Sequence, residues 1–305
     1  MGLLSACGWD EDEEYIPTYT GTYIRVGDAL YWRSSAGEVV RLSLAVRSIA
    51  STPWGLAALS ADGQTLYLFE AGKLEPKQRF DLGEACSRVT AFFEKPTLCL
   101  ACPKGIRLGR SSEKSFNPRW ESLPQSGLFS HIATASSFII AAGGGKVAVY
   151  EPQRFAQVAA ASFSGTPVGL WIEHPTSAAL SWRDETGTLR ILSYFHPGRL
   201  FTYDSIGKYI SRQTSPYLKP AIGTEYRGSI SLMSDSVLLP GGHRHVSGFT
   251  ADFLRGEVFF LRKDTVWRYQ VTLPSSLGQV GIFSVSGEME GVWVYRYGSA
   301  EVTIR

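Results

Sequence analysis

Apolar and polar residues alternate with a period of two along most of the chain, in short runs rich in Val, Ile, Tyr, Phe and Trp that end at Gly, Asp, Ser or Pro. This is the pattern of half-buried strands, and no window combines a helical period with caps, so the sequence predicts an all-β protein. The runs come in pairs around tight polar turns: "ALYWRSSAGEVVRLSL" from 29, "LAALSADGQTLYLFEAG" from 56, "TLCLACPKGIRLGRS" from 97 and "FIIAAGGGKVAVYEP" from 138. "AALSWRDETGTLRILSY" from 178, "EVFFLRKDTVWRYQV" from 257 and "GVWVYRYGSAEVTIR" from 291 continue the series. The turns hold residues that tolerate positive φ, among them Asp62-Gly63, Lys104-Gly105, Gly143 to Gly145 and Thr186-Gly187.

Hairpins starting at 56, 97, 138 and 178 are spaced by about 40 residues, and the step from 178 to 257 is about twice that. "GSISLMSDSVLLPGG" fills the missing register imperfectly. Further strand-like pieces precede the hairpins ("VRSIAST", "SRVTAFF", "SHIATAS", "PVGLWIE") or follow them ("KQRFDL", "AQVAAASF"), which gives four strands per repeat. The expected fold is a β-propeller of about seven four-stranded antiparallel blades, in which radial packing protects most strand edges. An N-terminal strand around "GTYIRVG" is expected to pair into the last blade and close the ring. A pair of β-sandwiches would supply short strands without the 40-residue register. The domain boundaries are 1–17 for an N-terminal segment and acidic linker, and 18–305 for a single propeller.

At residues 59–69, "LSADGQTLYLF" resembles the S-P-D-G-x-x-L-Y strand, turn and strand of the broad WD40-like, TolB-like and lactonase-like propellers, with Ala61 where Pro is usual. The resemblance covers one blade closely and the others by pattern. It implies binding on a flat face or at the axial channel, through loops that differ from blade to blade.

Composition adds that a core can be built: 44% of residues are hydrophobic and 19% charged. No apolar run reaches the 18 or so residues of a spanning helix. The net charge of +2 hides five acids, Asp10 to Glu14, which leave the rest of the chain at about +7. Its basic residues are scattered singly, which argues against a nucleic-acid partner.

Four cysteines, at 7, 86, 99 and 102, do not make a disulfide scaffold. "CLAC" at 99–102 lacks the second pair of a zinc site. Cys86 and Cys102 lie roughly opposite each other if "SRVTAFF" and "TLCLACP" form a hairpin; ordinary buried thiols are the leading reading, and one disulfide in an oxidising compartment is the other.

The stretch 205–228, "SIGKYISRQTSPYLKPAIGTEYRG", breaks the register and is rich in Tyr, Lys and Arg. It reads as a partner-binding loop with Tyr209, Tyr217 and Tyr226 as aromatic contacts, or equally as a decorated connection. His243 and His245 in "GGHRHVSG" would point to one side of an extended segment and could begin a metal site, but an exposed polar turn is the leading reading and no cofactor is expected. His131, His174 and His196 read as packing or turn residues. Arg183 in "RDET" and Lys263 in "RKD" project from equivalent turns and could form a contact patch. Trp54 and Trp171 would line a channel mouth or pack in the core, the second being the leading reading. No nucleophile stands with its base, and "GGGK" at 143–146 sits in a hairpin rather than a strand-to-helix phosphate loop.

"LSAC", residues 4–7, resembles the bacterial lipobox, in which the cysteine after the cleaved signal peptide receives lipid; here that residue is Cys7. Only six residues precede it, so this reading expects more coding sequence upstream of Met1. An ordinary soluble tail, or N-myristoylation of Gly2 with palmitoylation of Cys7, are the alternatives. The resulting expectation is a non-catalytic, protein-binding propeller held by lipid at the bacterial envelope, as an outer-membrane lipoprotein facing the periplasm. The rivals are a propeller enzyme acting on a sugar or lactone at the axial channel, and a soluble cytoplasmic WD40-like adaptor.

Overall fold

The period-two runs form strands throughout. A computed structural model describes residues 18–92, 96–111, 117–123, 127–204, 225–226, 229–232, 237–238, 246–252, 255, 257–270, 276–283, 288–297 and 299–304, and among these there is no helix. Three sheets of four antiparallel strands succeed one another in chain order. The first holds β7 (Arg88–Ala91), β8 (Thr97–Cys102), β9 (Gly105–Arg110) and β10 (Arg119–Ser122), and the second β11 (His131–Thr134), β12 (Ile139–Gly143), β13 (Lys146–Glu151) and β14 (Ala156–Ser162). The third holds β15 (Thr166–His174), β16 (Ser177–Arg183), β17 (Leu189–Phe195) and β18 (Leu200–Asp204). Each reproduces the expected order of inner strand, hairpin and outer strand.

After these come three short strands, β19 (Glu225–Tyr226), β20 (Ser229–Leu232) and β21 (Val237–Leu238), which pair in the imperfect register of "GSISLMSDSVLLPGG". A further four-stranded sheet contains β22 (Val246–Asp252), β23 (Glu257–Arg262), β24 (Thr265–Gln270) and β25 (Ser276–Phe283).

The remaining strands form one eight-stranded sheet, and here the structure departs from the expected separation of blades. Its order runs from β27 (Ala300–Ile304) and β26 (Met289–Tyr297) to β1 (Thr18–Val26), β2 (Ala29–Ser34), β3 (Val39–Thr52), β4 (Gly55–Ser60), β5 (Thr65–Glu70) and β6 (Gln78–Asp81). The expected pieces "VVRLSL" and "VRSIAST" are one strand, β3. Residues 39–45 pair with β2 and residues 46–52 pair with β4, with a register shift in the second ladder between Val46 and Ser48. The expected pairing of "GTYIRVG" with the C-terminal hairpin is present: β1 lies between β2 and β26.

Four apolar clusters fill the wedges between neighbouring sheets, and a fifth lies within the eight-stranded sheet, between its β26–β1–β2 and β3–β4–β5 parts. One joins Leu59 and Leu66 to Val89 and Leu100, the next joins Ile106 and Leu108 to Ile139 and Tyr150, and a third joins Phe138 and Val149 to Leu180 and Tyr194. Sheets meeting through their faces and inner strands make a propeller-like arrangement. Alternate residues of a strand face opposite wedges, which is why Cys99 and Cys102 belong to different clusters and "CLAC" is no metal knuckle.

Cys86 and Cys102 form a disulfide, contrary to the leading expectation of free thiols. The Ser87 N–H donates to the Ala101 carbonyl (2.7 Å), extending the β7–β8 ladder by one step and bringing Cys86 beside Cys102. The sequence could not fix that register across the turn. Cys99 stays a buried thiol whose pKa is pushed well up by burial.

The bridge closes a loop with a sequence separation of 16, for which chain entropy gives a stabilisation of about 3 kcal/mol. The double variant Cys86→Ser/Cys102→Ser should lose about that much in urea unfolding, while oxidised wild type keeps it; equal midpoints for the two would contradict the bridge.

Candidate functional site

The inner strands leave backbone edges without a strand partner, and hydroxyl side chains reach across to them. Ser48 Oγ on β3 donates to the Val89 carbonyl of β7 (3.3 Å) and accepts from the Val89 N–H (3.3 Å). Thr134 Oγ1 on β11 donates to the Ala91 carbonyl (2.7 Å), and Ser87 Oγ donates to the Phe129 carbonyl (2.9 Å).

At the end where β7, β11 and β26 begin, charge joins the same strands. Glu290 on β26 stands opposite Arg25 of β1 in the ladder. Its Oε2 accepts from Arg25 Nε (2.8 Å) and from the Ile49 N–H of β3 (2.7 Å). Its Oε1 accepts from Arg88 Nη1 of β7 (3.2 Å) and Ser48 Oγ (3.4 Å). Arg25 is 3% exposed and Glu290 11%, whereas Glu288, which also pairs with Arg25 and Arg88, is 54% exposed. Burial works against the Arg88 charge, but Glu290 and Glu288 outweigh it and hold its pKa above the ordinary value.

His131 opens β11 beside this cluster, with Nδ1 2.9 Å from Ser130 Oγ. Burial and then the Arg88 cation push its pKa down to about 4, against the pull of Glu288 and Glu290. The ring was expected as a packing residue and belongs instead to the electrostatic cluster. Above the ions lies a concavity of about 360 Å³ lined by Arg25, Arg47, Arg88, Ser87, Ser130 and Glu288, among others. Arg47 is held by the carbonyls of Ala61 (2.7 Å) and Cys86 (3.2 Å). With four donors on Glu290, the cluster binds inner strands together and does not present that carboxylate as a base.

The remaining expected residues are dispersed. Arg183 is exposed at the end of β16, its Nη1 3.4 Å from the Gly187 carbonyl of its own turn. Beside it Asp184 accepts from Thr186, Arg190 and the Thr188 N–H, bonds that hold its carboxyl well below the usual range. Lys263 is exposed at the β23–β24 turn with φ of 55°. The two turns are equivalent, as expected, but belong to separate sheets.

His196 stacks on Phe138 (4.7 Å between centroids), as a packing residue should. Trp54 packs against the core, the leading expectation for it, and also lines a second concavity at the opposite strand ends. Tyr226 ends β19, where it pairs with Ser229, and Trp171 and His174 lie on β15. Cys7, Tyr209, Tyr217, His243 and His245 lie outside the described residues. Among the described residues no group of three or more His, Cys, Asp and Glu is placed to hold a metal ion.

Sequence reasoning missed Arg25, Ser48, Arg88, Glu288 and Glu290. Their signal is a charge at the start of otherwise apolar inner strands, in "SRVTAFF" and "EMEGVWV", and within "YIRV".

No family model matches the chain, and no curated protein matches it. Among solved structures it is similar to a chain of the hydrazine synthase of Kuenenia stuttgartiensis, at 9% identity and a TM-score of 0.52, covering 92% of this chain and 90% of that one. That likeness concerns the fold alone. The chain is also similar to the β-propeller domain of Cps50 (Swd1) from Myceliophteria thermophila, at 10% identity and a TM-score of 0.48, covering 95% and 97%. A chain of a mitotic checkpoint complex matches at 11% identity and a TM-score of 0.46, over 65% of this chain and 62% of that one.

Replacing Glu290 by Gln should destabilise the fold by about 3 kcal/mol, because it leaves the buried Arg25 guanidinium with only the half-exposed Glu288 as counter-charge, whereas Glu288→Gln should cost under about 1 kcal/mol. Urea unfolding checks this, and equal losses would refute the ranking. Because His131 has its pKa lowered from 6.5 to about 4, the unfolded chain takes up the proton first as pH falls. Its contribution is therefore complete above pH 6.5 and lost between 6.5 and about 4. His131→Gln should flatten the stability curve over that interval, and an unchanged curve would contradict the assignment.

Proposed function

We propose that the chain is a non-catalytic, protein-binding β-propeller scaffold of about seven four-stranded blades, its ring completed where β1 joins β26. The observation that carries the binding role is an apolar edge. Phe195 is 51% exposed, Leu200 56% and Tyr203 67%, all on β17 and the outermost strand β18. Phe195 and Leu200, large apolar side chains left in water beside one another, mark a contact surface rather than a free face, while Tyr203 is on the opposite face of β18 against Trp182. Phe195 and Leu200 face each other across the two strands. Strand β18 is followed in sequence by the 205–228 stretch, whose Tyr209, Tyr217 and Tyr226 are the further aromatic contacts of this reading. Arg183 and Lys263 supply exposed charge at turns of two further positions in the fold. Aromatic contacts with basic residues around them are the composition of interface hot spots.

In this reading the protein is a bacterial outer-membrane lipoprotein facing the periplasm, held to the membrane by lipid on Cys7 and acting in an assembly. Two features support the location: the lipobox-like "LSAC", and the Cys86–Cys102 bridge, a bond that persists in oxidising compartments.

Expressed from its native gene, the protein should fractionate with membranes, and Cys7→Ala should release it. Recovery of soluble protein with an unmodified Met1 would overturn the tether and favour a cytoplasmic adaptor. Affinity capture followed by mass spectrometry should give a partner that is lost in Tyr209→Ser/Tyr217→Ser/Tyr226→Ser and in Leu200→Asp, at unchanged melting temperature. A partner retained by both variants would move the interface elsewhere.

A further inference from the structure

The second concavity, of about 560 Å³, lies at the strand ends opposite the Glu290 cluster and is lined by Trp54, Glu70, Ala71, Lys73, Arg296, Ser299 and Glu301. It is built by three turns, those joining β3 to β4, β5 to β6, and β26 to β27, and the first two are pinned to the core. Thr52 Oγ1 donates to the Gly55 carbonyl (2.8 Å) and accepts from the Trp54 N–H (3.3 Å), fixing the turn that carries the indole. Gly55 has φ of 138°, and a Cβ there would meet the Phe69 carbonyl oxygen at 2.1 Å. Tyr23 OH donates to the Lys73 carbonyl (2.7 Å), anchoring the second turn. Thr303 Oγ1 on β27 donates to the Thr52 carbonyl (2.7 Å), tying that strand to the first turn. At Gly72 a Cβ would stand 2.5 Å from Glu301 Oε2, so the missing side chain gives that carboxylate its place. The walls are thus set before any ligand arrives.

The chemistry of the walls selects among ligands. Charges balance: the carboxylates of Glu70 and Glu301 line the hollow with the cations of Lys73 and Arg296. Glu301 pairs with Arg296 at 3.4 Å, and Glu70 pairs with Lys77 just outside. A phosphate or acidic peptide would meet two carboxylates, and a basic peptide two cations. An apolar molecule would strip water from all four without replacing it. An uncharged polyhydroxyl ring fits these groups: each hydroxyl can donate to a carboxylate and accept from an ammonium or guanidinium, while its C–H face lies on apolar surface supplied by Trp54 and Ala71. The volume falls within the roughly 300–1,000 Å³ of small-molecule sites.

We propose that this concavity binds an uncharged saccharide of about two or three rings, without acting on it. The proposal stands apart from the protein-binding edge on β18, which is at the outer side of another sheet.

The test is calorimetric titration of the full chain with maltotriose, cellotriose and triacetylchitotriose, with a heparin disaccharide as the charged control. At least one neutral trisaccharide should bind saturably, and Trp54→Ala should weaken it by about tenfold or more. Because Trp54 also packs on the core, the exposed Lys73 provides a second variant: Lys73→Ala should weaken binding at unchanged melting temperature. Arg47→Ala at the opposite strand ends should leave it intact. No saturable binding of the three neutral sugars up to about 10 mM, equal binding by the Trp54 and Lys73 variants, or preference for the heparin disaccharide would each overturn the proposal. Loss of the captured protein partner in the β18 variants with sugar binding intact would separate the two functions.

Discussion

The carboxylate of Glu290 is the point where strands from neighbouring sheets are tied together. It takes one donor each from Arg25 on β1 and Arg88 on β7, and two from β3, the Ile49 N–H and Ser48 Oγ. Burying a carboxylate and two guanidiniums costs several kcal/mol per ion in lost hydration. That cost is offset only when the acid finds donors at good geometry, as it does here in Arg25, the Ile49 N–H and Arg88, with the Ser48 hydroxyl shared between Glu290 and the Val89 carbonyl. The arrangement therefore tolerates little drift. A sheet that slid or rotated by one residue would leave an ion buried without its partner, so the same contact that stabilises the inner ends also fixes the register of the sheets around them. The serine and threonine bridges along β3, β7 and β11 act in the same direction with smaller, uncharged contacts.

The two sets of strand ends are consequently different in kind. At one, ionised side chains are turned toward each other and spend their hydrogen-bonding capacity within the fold. At the other, tight turns held by Thr52, Tyr23 and Thr303 carry an indole and balanced charges around a hollow. The outer strand β18 offers a third surface, apolar and at the periphery. A scaffold can serve these surfaces separately because the wedges of core between sheets hold them at fixed distances.

Much of the fold was legible because each hairpin writes itself twice, as alternation in the strands and as left-handed residues in the turn. Gly63 at φ of 78°, Gly105 at 117°, Gly145 at 76° and Gly187 at 79° stand where the turns were expected. What could not be read depends on distance in sequence or on register. Arg25, Arg88 and Glu290 meet only because β1 pairs with β26 and β7 packs on β3, and nothing local in their segments announces a common partner. The disulfide required knowing that the ladder of β7 and β8 extends one step past Arg88. The break expected between "VVRLSL" and "VRSIAST" is absent because Ala45 and Val46 continue extended backbone with no turn residue between them, and a strand can exchange one partner for another without ending. Of the residues singled out in the sequence, Trp54 packs on the core because its turn follows an inner strand directly.

The continuity of β3 has a mechanical meaning. Elsewhere neighbouring sheets touch through side chains, contacts that can part and reform as the sheets breathe. Across β3 they share an unbroken covalent backbone in extended form, which has almost no slack to lengthen. Tilting one of these two units therefore twists the other instead of opening a gap between them. The unit carrying both ends of the described chain is therefore joined to its neighbour by backbone as well as by side chains.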